Sequence, residues 1–123
     1  MMLRATAWIF LAVTIFGLTS CGGDSGPPSH ADVMSKIEDT ITRLEVMEKD
    51  DRMPIAEVEE RLKSIKYDVG RSTMDEKEAE LLVIALDFMI PVASMQLKVE
   101  ENGDAADAAY FLDGLRKVQK RFK

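Results

Sequence analysis

From His30 onward, apolar residues return every three or four positions, the spacing of helices that each bury one face. The first stripe is Val33, Ile37, Ile41, Leu44 and Met47, with Ser29 and Asp32 placed to cap its start. The second is Ile55, Val58, Leu62, Ile65 and Val69. Pro54 suits the first turn of that helix, where its missing N–H costs nothing, and Gly70 suits a left-handed C-cap. A capping-box pattern, Thr73-Met74-Asp75-Glu76, opens a third helix that runs to about Glu101 and is closed by Asn102-Gly103. Asp104 caps a fourth, whose stripe is Ala105, Ala108, Leu112, Leu115, Val118 and Phe122. No strand pattern of useful length interrupts them. Short connections make sequential helices antiparallel. The expected fold is therefore all-α, an up-down-up-down antiparallel four-helix bundle over residues 30–123, with the start of helix 1 and the end of helix 4 at the same end.

Helix 3 departs from the one-stripe pattern. Leu81–Met95 is apolar nearly all round, interrupted by Asp87 and Pro91. That run is too short to span a bilayer. The expectation is the most buried helix of the bundle, kinked at Pro91. The alternative is surplus apolar surface facing a ligand, a partner or a membrane. Asp87 is either partly buried with a raised pKa or turned outward.

Ahead of the helices the pattern changes. Met1–Ala7 carries one basic residue, Arg4, and Ala7–Leu18 runs without a charge, as in an export signal. The run ends in Leu18-Thr19-Ser20-Cys21, which resembles a bacterial lipoprotein lipobox. The resemblance implies cleavage after residue 20 and lipidation of Cys21. Several acyl chains there would anchor the protein stably to a membrane. Gly22 after the cysteine implies, in a Gram-negative host, passage to the outer membrane and a periplasmic domain. Residues 21–29 are then a tether, flexible through Gly and Ser and stiffened by Pro27-Pro28. Loss of Arg4 with residues 1–20 leaves 15 basic residues against 22 acidic ones, a net charge of −7.

Composition narrows the chemistry. The acidic balance argues against a nucleic-acid partner. A single cysteine, Cys21, excludes an internal disulfide and a CxxC pair. A single histidine, His30, argues against a multi-histidine metal site or a histidine-based catalytic triad. No His lies in helices 2 to 4, so the ExxH pattern of di-iron bundles is absent. The carboxylates of helices 2 and 3 fall opposite the apolar stripes, as solvated faces do. Arg116, Lys117, Lys120, Arg121 and Lys123 complement the dipole at the end of helix 4, or else meet anionic headgroups. Nothing here points to an enzyme.

Two stretches carry a family likeness. Ala31–Asp51 resembles the first helix of the cytochrome b562 family through Ala31-Asp32, Glu38, Leu44, Val46, Glu48-Lys49 and Asp51. Gln96–Ala108 resembles that family's third turn through Leu97, Lys98, Gly103 and Ala108, and the register then holds through Leu115 to Phe122. The resemblance implies a cytochrome b562-like bundle and raises haem b as a cofactor, clamped in the family by a Met on helix 1 and a His near the end of helix 4. Those positions fall on Ile37 and Lys123, and the family's haem-packing aromatics fall on Leu82 and Leu86. Met34 and His30, one and two turns before Ile37, are the remaining candidate ligands. They share a helix face, so either would have to pair with Lys123. Without CxxCH no covalent haem link forms. The expected function is a haem-free binding or interaction module in the cell envelope, held to the membrane by Cys21 and meeting an envelope protein. The alternative is a haem-binding electron carrier with unusual ligands.

Overall fold

The computed structural model describes residues 26–122. It contains four helices in a bundle: α1 (His30–Asp50), α2 (Ile55–Arg71), α3 (Glu76–Leu97) and α4 (Ala105–Phe122). Two short strands, β1 (Met53–Pro54) and β2 (Asn102–Gly103), pair antiparallel at one end.

Most helix boundaries have a local chemical cause. At the start of α1, Ser29 Oγ accepts from the Asp32 amide at 3.1 Å and Asp32 Oδ2 accepts from the Ser29 amide at 2.9 Å, a complete capping box. At its end, Asp51 adopts the left-handed conformation (φ 54°, ψ 37°) that Asp tolerates better than most residues. Asp51 Oδ1 also accepts from the Ala105 amide at 2.8 Å, so one residue closes α1 and serves the orphan donors of α4. Asp104 and Asp107 exchange amide-to-carboxylate hydrogen bonds at 3.0 and 3.1 Å to complete that start.

Three boundaries differ from the sequence expectation. Gly70 does not adopt the left-handed cap, and α2 runs on to Arg71, because both the amide and the hydroxyl of Ser72 donate to the Val69 carbonyl. The cap of α3 is Asp75 rather than Thr73, with Asp75 Oδ2 accepting from the amides of Lys77 and Glu78. α3 stops at Leu97, because the Val99 and Glu100 amides both turn back to the Gln96 carbonyl, which frees Asn102-Gly103 to pair with β1.

The core is drawn from the expected stripes. Ile37, Leu44, Leu62, Ile65, Leu82, Leu86 and Leu115 are completely buried. α1 packs closely along α4, and α2 along α3, while α1–α2 and α3–α4 meet more sparsely. At one end His30 Nε2 donates to the Phe122 carbonyl and the Thr73 amide donates to the Pro28 carbonyl. At the other, the Ile55 amide donates to the Glu101 carbonyl.

The largest correction concerns α3. Only Leu82, Leu86, Met89 and Ala93 of this helix are buried. Leu81, Ile84, Phe88, Val92 and Met95 are exposed to solvent. Three neighbouring helices can cover only part of a cylinder, and a helix apolar all round keeps the remainder outside. Asp87 is turned outward, its carboxylate 2.7 Å from Lys66 Nζ of α2. At 22 residues and a mean hydropathy of 1.7, α3 is long and apolar enough to cross a membrane by length and composition. Its inner stripe, however, sits in the bundle core.

Candidate functional site, the seam between α3 and α4

The four seams of the bundle are closed by different means. Lys36 bonds Asp68, and Arg43 clasps Glu57 through Nε at 2.6 Å and Nη2 at 3.0 Å, so α1 and α2 are bridged by charge. Lys66–Asp87 and Ser94–Glu59 bridge α2 and α3. Arg116–Glu45 and Gln119–Glu38 bridge α4 and α1. Among the described residues no hydrogen bond or ion pair crosses from α3 to α4.

These bridges set the local electrostatics. The Arg43 guanidinium, helped by Arg61 and opposed by partial burial, holds the Glu57 carboxyl below its ordinary range. Lys36 chiefly, and Arg71 after it, does the same for Asp68 against desolvation. The Ser94 hydroxyl, then Lys63, lowers Glu59. All three stay ionised at neutral pH and serve packing between helices.

The unbridged seam opens into a cleft of about 640 Å³, within the size range of small-molecule sites. Its walls are Leu81, Ile84, Ala85, Phe88 and Met89 from α3, and Tyr110, Asp113, Gly114, Lys117, Val118, Arg121 and Phe122 from α4. The lining is mostly apolar. Gly114 lets Met89 form the floor, since a β-carbon there would stand 2.8 Å from the Met89 sulfur. Lys117 leans on Asp113 at 3.0 Å, while Arg121 lies 5.9 Å from the Phe122 ring centre and meets no carboxylate among the described residues. Phe88 is the most exposed apolar residue of the walls, at 73%.

The residues singled out from sequence lie elsewhere. His30 stands at the bundle end, with Nε2 2.8 Å from the Phe122 oxygen and Nδ1 3.6 Å from Glu78 Oε1. Met34 is half-buried against the core. Ile37, Leu82 and Leu86 are buried without residual exposure. Cys21 and Lys123 lie outside the described residues. One nitrogen of the only histidine is committed to a backbone carbonyl, and the position expected for Met carries the buried Ile37. Among the described residues no cluster of three or more His, Cys, Asp or Glu is disposed to hold a metal ion.

The cleft residues Phe88, Tyr110, Gly114, Lys117 and Arg121 were not foreseen as a group. The signal for the α3 wall was there in the excess of apolar residues over what one buried stripe needs. No protein-family model, curated protein or solved structure matches this chain.

Proposed function

We propose that this protein is a lipid-anchored, haem-free interaction module of the bacterial cell envelope, built as an up-down-up-down bundle of the cytochrome b562 type, whose working surface is the outer face of α3 and its seam with α4. The observation that carries this reading is the exposed apolar stripe of α3 beside the one seam that, among the described residues, no polar pair closes. Apolar surface held in water is costly, at roughly 25 cal/mol per Å². A contiguous exposed patch is a usual mark of a binding surface. The helix ends support the topology, because His30 meets Phe122 at one end while Asp51 meets Ala105 at the other. The anchor rests on the lipobox ending at Cys21.

Two experiments test this reading. Cysteine is introduced singly at Phe88, at Ile84 and, as a solvent control, at Asp39, in the full chain made in a bacterial envelope. A membrane-impermeant maleimide should label the α3 sites several-fold more slowly than the control site; equal labelling overturns the interaction face. Separately, Cys21→Ser should move the chain from the membrane to the soluble fraction, and retention in the membrane overturns the anchor.

A further inference from the structure

The large hydrophobic residues exposed on α3 follow a symmetric rule. Leu81, Ile84, Phe88, Val92 and Met95 are separated by steps of three, four, four and three. The series reads the same in both directions from Phe88. At about 100° per residue these five positions stay within a narrow outward strip. If a second α3 is laid antiparallel across the first, with a two-fold axis at Phe88, Leu81 falls opposite Met95, Ile84 opposite Val92, and Phe88 opposite itself. An isologous interface has this property: one patch is complementary to its own copy. We infer that the outer face of α3 binds the same face of a second copy of this chain, antiparallel about Phe88.

The charges on the two flanks agree. Helical phase places Glu80, Asp87 and Lys98 together on the flank toward α2, the side from which Lys66 reaches Asp87. The two-fold brings Glu80 alongside Lys98 of the second copy, twice per pair. The Asp87 carboxylates, near the axis, are each already neutralised by their own Lys66. On the other flank, Arg121 lies at the bundle end where α3 begins, facing the end of the second α3 and its Glu100. The five side chains are 39–73% exposed. They carry about 500 Å² per copy, so a two-fold pair with its flanks reaches the roughly 1,000 Å² of a specific interface.

Other occupants fit less well. A small ligand in the cleft would leave Val92 and Met95 uncovered, because neither lines it. An anionic bilayer surface would meet Glu76, Glu78 and Glu80 at the start of α3, where interfacial helices carry Lys and Arg.

The inference rests on the proposed interaction face and is tested separately from it. In the full chain carrying Cys21→Ser, so that an introduced cysteine is the only one, a disulfide forms only where Cβ atoms come within about 4.5 Å. Mild oxidation should convert Phe88→Cys to a species of doubled mass on a non-reducing gel. Leu81→Cys and Met95→Cys should each stay single, and a mixture of the two should cross-link. Failure of Phe88→Cys to cross-link, or equal cross-linking by all three alone, overturns the antiparallel pair. If the α3 sites are nevertheless shielded from maleimide in the envelope, another occupant covers the face and only the second copy is lost. If they are as open as the Asp39 site, both readings are lost.

Discussion

The imidazole of His30 donates from Nε2 to the carbonyl of Phe122 at 2.8 Å, joining the first residue of α1 to the last turn of α4 across 92 positions of sequence. The last four carbonyls of a helix lack intrahelical donors, so this bond satisfies one of them at the bundle end. His30→Ala should therefore lower unfolding free energy by roughly 1 kcal/mol. It should also speed amide exchange in the last turn of α4 without altering the rest of the bundle. Urea unfolding and hydrogen exchange measure the two effects.

Leu86 and Phe88 stand two residues apart on α3 and face opposite ways. Leu86 is fully buried and Phe88 is 73% exposed. Leu86→Ala should cost about 2–5 kcal/mol through lost burial and the cavity left behind. Phe88→Ser, measured at dilutions where the chain is monomeric, should stay within about 0.5 kcal/mol of wild type. Equal losses from the two substitutions would mean that the helix is rotated from the orientation described.

Gly103 sits in β2 directly against the cap of α4. A β-carbon there would come 2.5 Å from Asp107 Oδ2 and 2.9 Å from its Cβ. Gly103→Ala should displace Asp107 from the Asp104 amide and reduce stability by about 0.5–2 kcal/mol, the range for a lost N-cap. Asp107→Asn should be milder, because its side-chain oxygen still accepts. Thermal unfolding of the two variants orders them.

Acid should weaken the bundle through the α1–α2 seam. Glu57 and Asp68 are held below their ordinary pKa values by Arg43 and Lys36 respectively. A carboxyl lowered in the folded state adds stability above its unfolded pKa, about 4 for these side chains, and that stability is lost as pH falls through the folded value. Glu57→Gln should thus destabilise the protein at pH 7, and by less as the pH falls through the folded-state value. The difference in urea midpoint between the two chains, followed against pH, should shrink toward the acid end.

The bundle was legible in the sequence because three of its helices carry one apolar stripe each. Val33 to Met47, Ile55 to Val69 and Ala108 to Phe122 leave no choice of which face turns inward. α3 offered too many choices: with nearly every position from Leu81 to Met95 apolar, periodicity alone does not say which third is buried. The positions of neighbouring helices decide it, leaving Leu82 and Leu86 inside and Ile84 and Phe88 outside. Gly70 and Asn102-Gly103 carried ordinary stop signals, but α2 ends one residue later, where Ser72 caps Val69, and α3 ends earlier, where Val99 and Glu100 turn back to Gln96 and leave Asn102-Gly103 to pair with β1. His30 is informative in another way. Its residue type suits a ligand, and only its place at the bundle end, against Phe122, assigns it to a cap.

The pairing of two copies through the outer face of α3 is tested most directly by sedimentation equilibrium. The full chain with Cys21→Ser, at tens of micromolar, should sediment with twice the monomer mass, and Phe88→Glu should sediment as a folded monomer. A wild-type chain that is monomeric at that concentration, or a Phe88→Glu chain that remains dimeric, would contradict it.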